Sequence, residues 1–96
     1  MLKKIEELSI LNKKTPEQIG LKLSEETGEV TQALLSATNA PGSAYKKEGV
    51  EDVKEECVDV IMVALSLFFK MGGSKEEFEE TLKTKTTKWE KVSEIK

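Results

Sequence analysis

The chain has 96 residues, 38% hydrophobic and 34% charged, with a formal net charge of −3. That is enough for one hydrophobic core and too little for two, so residues 1–96 are expected to form a single domain, one small enough that packing against a copy of itself is the default expectation. All fifteen basic residues are lysine, scattered among eighteen acids, so there is neither the bidentate fork of arginine nor a basic stripe, and no nucleic-acid partner is expected.

Over residues 1–12, Leu2, Ile5, Leu8 and either Ser9 or Leu11 recur at helical spacing, which predicts a short amphipathic helix acting as a lid or brace. The same opening, MLKKIEEL, lacks the apolar run of a secretory signal, and a single cysteine, Cys57, cannot close an intramolecular disulfide, so a cytoplasmic location is expected. Thr15-Pro16-Glu17-Gln18 then writes a helix start. Thr15 can cap, Pro16 suits the first helical position, and Gln18 can return the reciprocal hydrogen bond. The second helix should reach about Ala37, with Ile19, Leu23, Val30, Ala33, Leu34 and Ala37 along one face.

Asn39, Pro41, Gly42 and Gly49 make residues 39–49 a loop, long enough to be functional, and it carries Tyr45. A third helix is expected over about 50–71, its stripe formed by Val53, Cys57, Val60, Ala64, Leu67, Phe68 and Met71, and its second half apolar nearly all round and so buried on several sides. The apolar run at 60–69 is far short of the ~20 residues that span a bilayer, so no membrane segment is expected. Gly72-Gly73 ends this helix. Ser74-Lys75-Glu76-Glu77 opens a fourth, to about Val92, with Phe78, Leu82, Trp89 and Val92 on its stripe. The fold class is therefore all-α, with four helices.

The sequence has no histidine, which excludes histidine triads, most catalytic zinc sites and imidazole relays together. Chemistry must then rest on carboxylates, lysines or an ion held by oxygen. Glu26 lies three residues after Leu23 and four before Val30, inside the apolar stripe of the second helix, and Glu29 follows one turn on, with Gly28 between them leaving room for close approach. Glu56 and Asp59 repeat the pattern on the third helix, between Val53 and Val60. Carboxylates gathered among core positions repel one another and lose hydration, so the arrangement is reasonable only with cations. An all-oxygen set selects a hard ion, Mg2+ or alternatively Mn2+. The bland alternative is a solvated face on which Glu26 pairs with Lys22 four residues earlier.

The pair Glu26-Thr27-Gly28-Glu29 and Glu56-Cys57-Val58-Asp59, with the flanking LKLSEETGEV and EDVKEECVDVIMVAL, resembles the ExxE and ExxD signature of the MazG-like all-alpha nucleoside triphosphate pyrophosphatases, over about residues 20–89. That resemblance implies a four-helix MazG-like arrangement assembling as a homodimer or homotetramer. Glu26, Glu29, Glu56 and Asp59 would hold magnesium, and a nucleoside triphosphate would be cleaved to the monophosphate and pyrophosphate. A carboxylate not fully engaged by metal, Glu25 or Glu29, would accept the proton of the attacking water. Lys22, Lys85 and Lys88 are candidates to meet phosphate. Lys85 falls inside the stripe of the last helix and can alternatively snorkel along its edge. Tyr45 is a candidate for base stacking, whereas Trp89 reads more readily as core. The family's usual Arg or Asn near the end of the last helix is replaced by KTKTTKWEK, which bears on phosphate binding and substrate choice. Two other functions fit the same helices: a phosphoribosyl-ATP pyrophosphatase, and a non-catalytic oligomerisation or regulatory module whose acids form salt bridges or bind metal only for structure.

Overall fold

A computed structural model describes the backbone of residues 1–38 and 49–95, and the side chains of all of these except 94 and 95. Four α-helices make up the described chain: α1 (Leu2–Leu11), α2 (Pro16–Ala37), α3 (Val50–Lys70) and α4 (Lys75–Ile95). Tyr45 and residues 39–48 of the expected loop lie outside the described residues.

The start of α2 follows from its sequence. The Thr15 hydroxyl accepts from the Gln18 backbone N–H at 3.1 Å, and the Gln18 side chain accepts from the Thr15 N–H at 2.9 Å. Two of the helix's otherwise unpaired donors are thereby satisfied. At α3 the Asp52 carboxylate takes the Gly49 N–H at 2.7 Å, and at α4 the Ser74 hydroxyl takes the Glu77 N–H at 3.1 Å. Between α3 and α4 the chain turns through Gly72, whose φ of 97° a side chain would oppose. At Gly73 a Cβ would collide with the Phe68 ring.

α2 and α3 pack along each other and α1 braces α3. The buried apolar side chains are Ile19 and Ala33 on α2 and Leu65 and Phe69 on α3. α1 is a brace tied at both ends of its face. Ser9 is buried with its hydroxyl donating to the Ile5 carbonyl, the Lys70 ammonium donates to the Asn12 carbonyl, and Glu6 accepts the Lys75 N–H at 3.0 Å. That last bond places a carboxylate on the N-terminus of α4, where the helix dipole favours it. Ser9, not Leu11, completes the inward face of α1, because Leu11 is exposed.

Three expectations need correction. On α3 the side chains turned inward are the buried Leu65 and Phe69 and the half-buried Val53, Glu56, Val60, Val63, Leu67 and Phe68, whereas Cys57, Ala64 and Met71 of the expected stripe are exposed. From Leu65 to Lys70 every side chain is buried or half-buried, with α2 and α1 both packed on α3, so this part of its second half is enclosed on several sides as expected, while Ile61, Met62 and Ala64 before it stay exposed. On α2, Leu34 points outward, while Glu26 takes the core position expected of it. On α4, residues 79–93 are exposed throughout, and its half-buried side chains are Lys75 and Phe78 at its first turn. α4 docks on α1 and touches α3 where the Phe68 and Phe78 rings meet edge-to-face at 5.6 Å, and beyond that point it stands apart. The radius of gyration, 16.2 Å, accordingly exceeds the about 12–13 Å of a compact chain of this length. No helix among the described residues is long and apolar enough to cross a membrane.

Candidate metal centre

Two turns of helix separate Glu26 from Ile19 on one side and from Ala33 on the other, so all three share the face that α2 turns to α3. Glu26 is consequently only 7% exposed. Glu56 sits on the facing stripe of α3 between Val53 and Val60 and is half-buried, as is Glu29, while Glu25 and Asp59 lie at the exposed margins. The packing of two amphipathic helices thus draws their acids together.

The four carboxylates expected at one point form two overlapping groups. Oxygens of Glu26, Glu56 and Asp59 lie within 4.8 Å of one another, and so do oxygens of Glu25, Glu26 and Glu29, with Glu26 common to both. Glu29 belongs to the second group and still influences Glu56 electrostatically. Glu25 joins the cluster beside Glu29, a placement that its spacing of four residues from Glu29 permits.

Compensation within the chain is partial. Lys22 Nζ lies 3.1 Å from Glu26 Oε1 and 3.6 Å from Glu25 Oε1. The ammonium's pKa is raised by its hydrogen bond to Glu26 and by the charges of Glu25 and Glu26. The Lys22–Glu26 pair foreseen as the bland alternative is therefore present, yet it accounts for only one oxygen of Glu26. Glu26 Oε2 and Glu56 Oε2 are buried with no hydrogen-bond partner. Burial is the main cause holding the Glu56 carboxyl above its ordinary range, followed by hydrogen bonding with Glu29 and the charges of Glu29, Asp59 and Glu26.

Buried polar atoms are normally paired, and an orphaned carboxylate oxygen is costly in a low-dielectric site. Two of them, on facing helices, with Lys22 as the cation that reaches the cluster among the described residues, leave room for a bound metal ion. Gly28, expected to allow close approach, does not serve that purpose within the chain, since a Cβ there would meet no atom within 4 Å.

Lys85 and Lys88 belong to neither carboxylate group. They are exposed on α4, beside Glu80, Thr81 and Thr84 of the same helix. Trp89 is 73% exposed and is not part of the core of the single chain. Compared with protein-family models, with characterised proteins and with solved structures, the chain finds no match.

Proposed function

We propose that this protein is a magnesium-dependent nucleoside triphosphate pyrophosphohydrolase, cleaving a common or modified (deoxy)nucleoside triphosphate to the monophosphate and pyrophosphate. The observation that carries the reading is the pair of orphaned buried oxygens, Glu26 Oε2 and Glu56 Oε2, inside a carboxylate cluster drawn from two helices. The resemblance of Glu26-Thr27-Gly28-Glu29 and Glu56-Cys57-Val58-Asp59 to the MazG-like signature points the same way, and with it comes assembly as a homodimer or homotetramer.

In this reading Glu26, Glu56 and Asp59 hold one ion, and Glu26 with Glu29 offers ligands to a second. Magnesium bound there would screen the triphosphate, polarise a phosphoryl oxygen and acidify a coordinated water. Glu25 is the most exposed acid of its group and pairs with Lys22 at the edge of the site, where it is one candidate base. Glu29, half-buried, is the other base. Lys22 is the lysine placed beside the carboxylates and offers its ammonium to a phosphate oxygen once metal replaces it at Glu26.

The Lys22–Glu26 pair favours a second reading, a non-catalytic helical module whose acids are balanced by lysine. The two proposals part experimentally. Incubation with a panel of nucleoside triphosphates and magnesium should release pyrophosphate, and Glu56→Gln should abolish the release. Release by the variant at the wild-type rate would remove the site, and silence of the wild type across the panel, with no change in its stability on adding nucleotide, would leave the module reading standing.

A further inference from the structure

Beside the carboxylates, an open groove of about 290 Å³ follows the N-terminal half of α2, lined by Lys14, Gln18, Leu21, Lys22 and Glu25. Gln18, Lys22 and Glu25 succeed one another at four and three residues, so they share one edge of the helix. Lys14, just before the Thr15 cap, closes the far end. The near end is the metal centre itself, because two residues belong to both. Glu25 shares a carboxylate group with Glu26 and Glu29, and Lys22 bridges Glu25 and Glu26. Away from the acids the groove changes sign. The ammonium of the exposed Lys14 has no ion-pair partner among the described residues, unlike those of Lys22, Lys54 and Lys75. Gln18 uses its side-chain oxygen to accept the Thr15 N–H, which leaves its amide NH2 as a donor. The N-terminal end of the α2 dipole adds positive potential in the same direction.

We infer that this groove holds the terminal phosphates of the triphosphate, the end that departs as pyrophosphate, with Lys14 and Gln18 as its binding residues. The substrate then lies along α2, its reacting phosphate at the carboxylates and its far end toward the start of the helix. This rests on the pyrophosphohydrolase reading and gives that reading a direction. Three observations select the occupant. The first is continuity with the metal centre: the cleft on α4 that holds Lys85 and Lys88 shares no residue with either carboxylate group, whereas the α2 groove shares Glu25. The second is the order of donors. A run of ammonium, amide and ammonium from Lys14 through Gln18 to Lys22 matches an anion with several charges in a row, while a single phosphate would engage only one end of it. The third is composition. The chain has no arginine, so phosphate oxygens must be met by lysine ammoniums and amide N–H groups, the two donors that this groove brings together.

The test is calorimetric titration of inorganic pyrophosphate into the protein at saturating Mg2+. The wild type should bind it. Lys14→Met should weaken binding about tenfold, the lower end of what a hydrogen bond to a charged group contributes, and Lys14→Arg should restore most of the loss. Gln18→Glu keeps the acceptor that the capping box requires but sets a negative charge in the groove, so it should weaken binding at least as much with unchanged helical circular dichroism. Lys13→Met removes the same charge one residue outside the groove and should bind as the wild type does. A nucleoside monophosphate, which lacks the terminal phosphates, should bind Lys14→Met and wild type equally. Failure of the wild type to bind pyrophosphate would overturn the inference, as would wild-type affinity in Lys14→Met, an equal loss in Lys13→Met, or a loss shared by the monophosphate. The readout is binding, not turnover. Lys14-dependent binding of pyrophosphate, with no pyrophosphate released from any nucleoside triphosphate, would remove the enzyme reading and keep the groove as a polyphosphate site. Turnover with Lys14-independent binding would do the reverse.

Discussion

The α2–α3 layer and α4 are incomplete in opposite senses. Between α2 and α3 the chain buries charge, placing Glu26 where Ile19 and Ala33 lie and leaving carboxylate oxygens without donors. Along α4 it exposes apolar surface, with Leu82, Trp89 and Val92 uncovered. A buried anion calls for a cation and an exposed apolar face for a cover; among the described residues Lys22 meets the first need in part and the second is unmet. The contrast separates what the fold does for itself, which is to pack α1, α2 and α3, from the charge and the apolar surface that it leaves uncompensated.

The sharpest way to break this comparison is to remove one acid from each region. Glu56→Gln or Asp59→Asn should lower pyrophosphate release at least about 100-fold, since even changes to residues that only support metal ligands cost 10–100-fold. Glu79→Gln on α4, whose acid pairs with Lys75 at 3.2 Å, should leave turnover unaltered. Next in size is the effect of the ion itself. Magnesium at about 100 times its dissociation constant should stabilise the wild type by roughly 2.7 kcal/mol, an increase in Tm of roughly 10–20 °C, and Glu26→Gln should abolish the gain in a thermal melt.

A smaller effect concerns pH in the metal-free protein. The Glu56 carboxyl titrates above its ordinary value of 4.5 in the folded chain, so the folded state binds this proton more tightly than the unfolded state does. Its contribution to stability is complete below the ordinary value and is lost as pH rises through the folded value. Denaturant melts from pH 4.5 upward should therefore show a decline that Glu56→Gln flattens and saturating magnesium reverses. The smallest effect belongs to Gly28. Because a Cβ there meets open space, Gly28→Ala should stabilise the chain by about 0.5–1 kcal/mol in urea melts. Loss of metal affinity in the same variant would mean that the open space belongs to a ligand.

Local chemistry made much of this legible. The Thr15–Gln18 capping box, the Gly72-Gly73 stop and the Ser74 cap each depend on residues a few positions apart, and the helix bounds follow them closely. Glu26 and Glu56 stood out because each interrupts an apolar periodicity that is itself local. The choice of buried face on α3 was not legible, since a helix apolar on two sides offers two stripes and only the positions of α1 and α2 decide between them. Nor could the isolation of α4 be read from its stripe, which is the same whether its cover comes from this chain or from another. Glu25's place in the cluster turns on rotamers around Lys22, which spacing permits without requiring.

The central claim is that carboxylates from α2 and α3 converge on a divalent ion, and titration of Mn2+ into the metal-free protein, followed by electron paramagnetic resonance of the free ion, tests it without any assumption about substrate. The account predicts saturable uptake at a fixed small stoichiometry, displaced by Mg2+, lost in both Glu26→Gln and Glu56→Gln, and intact in Glu79→Gln. Uptake that is unsaturable, or equal in all four proteins, would contradict it.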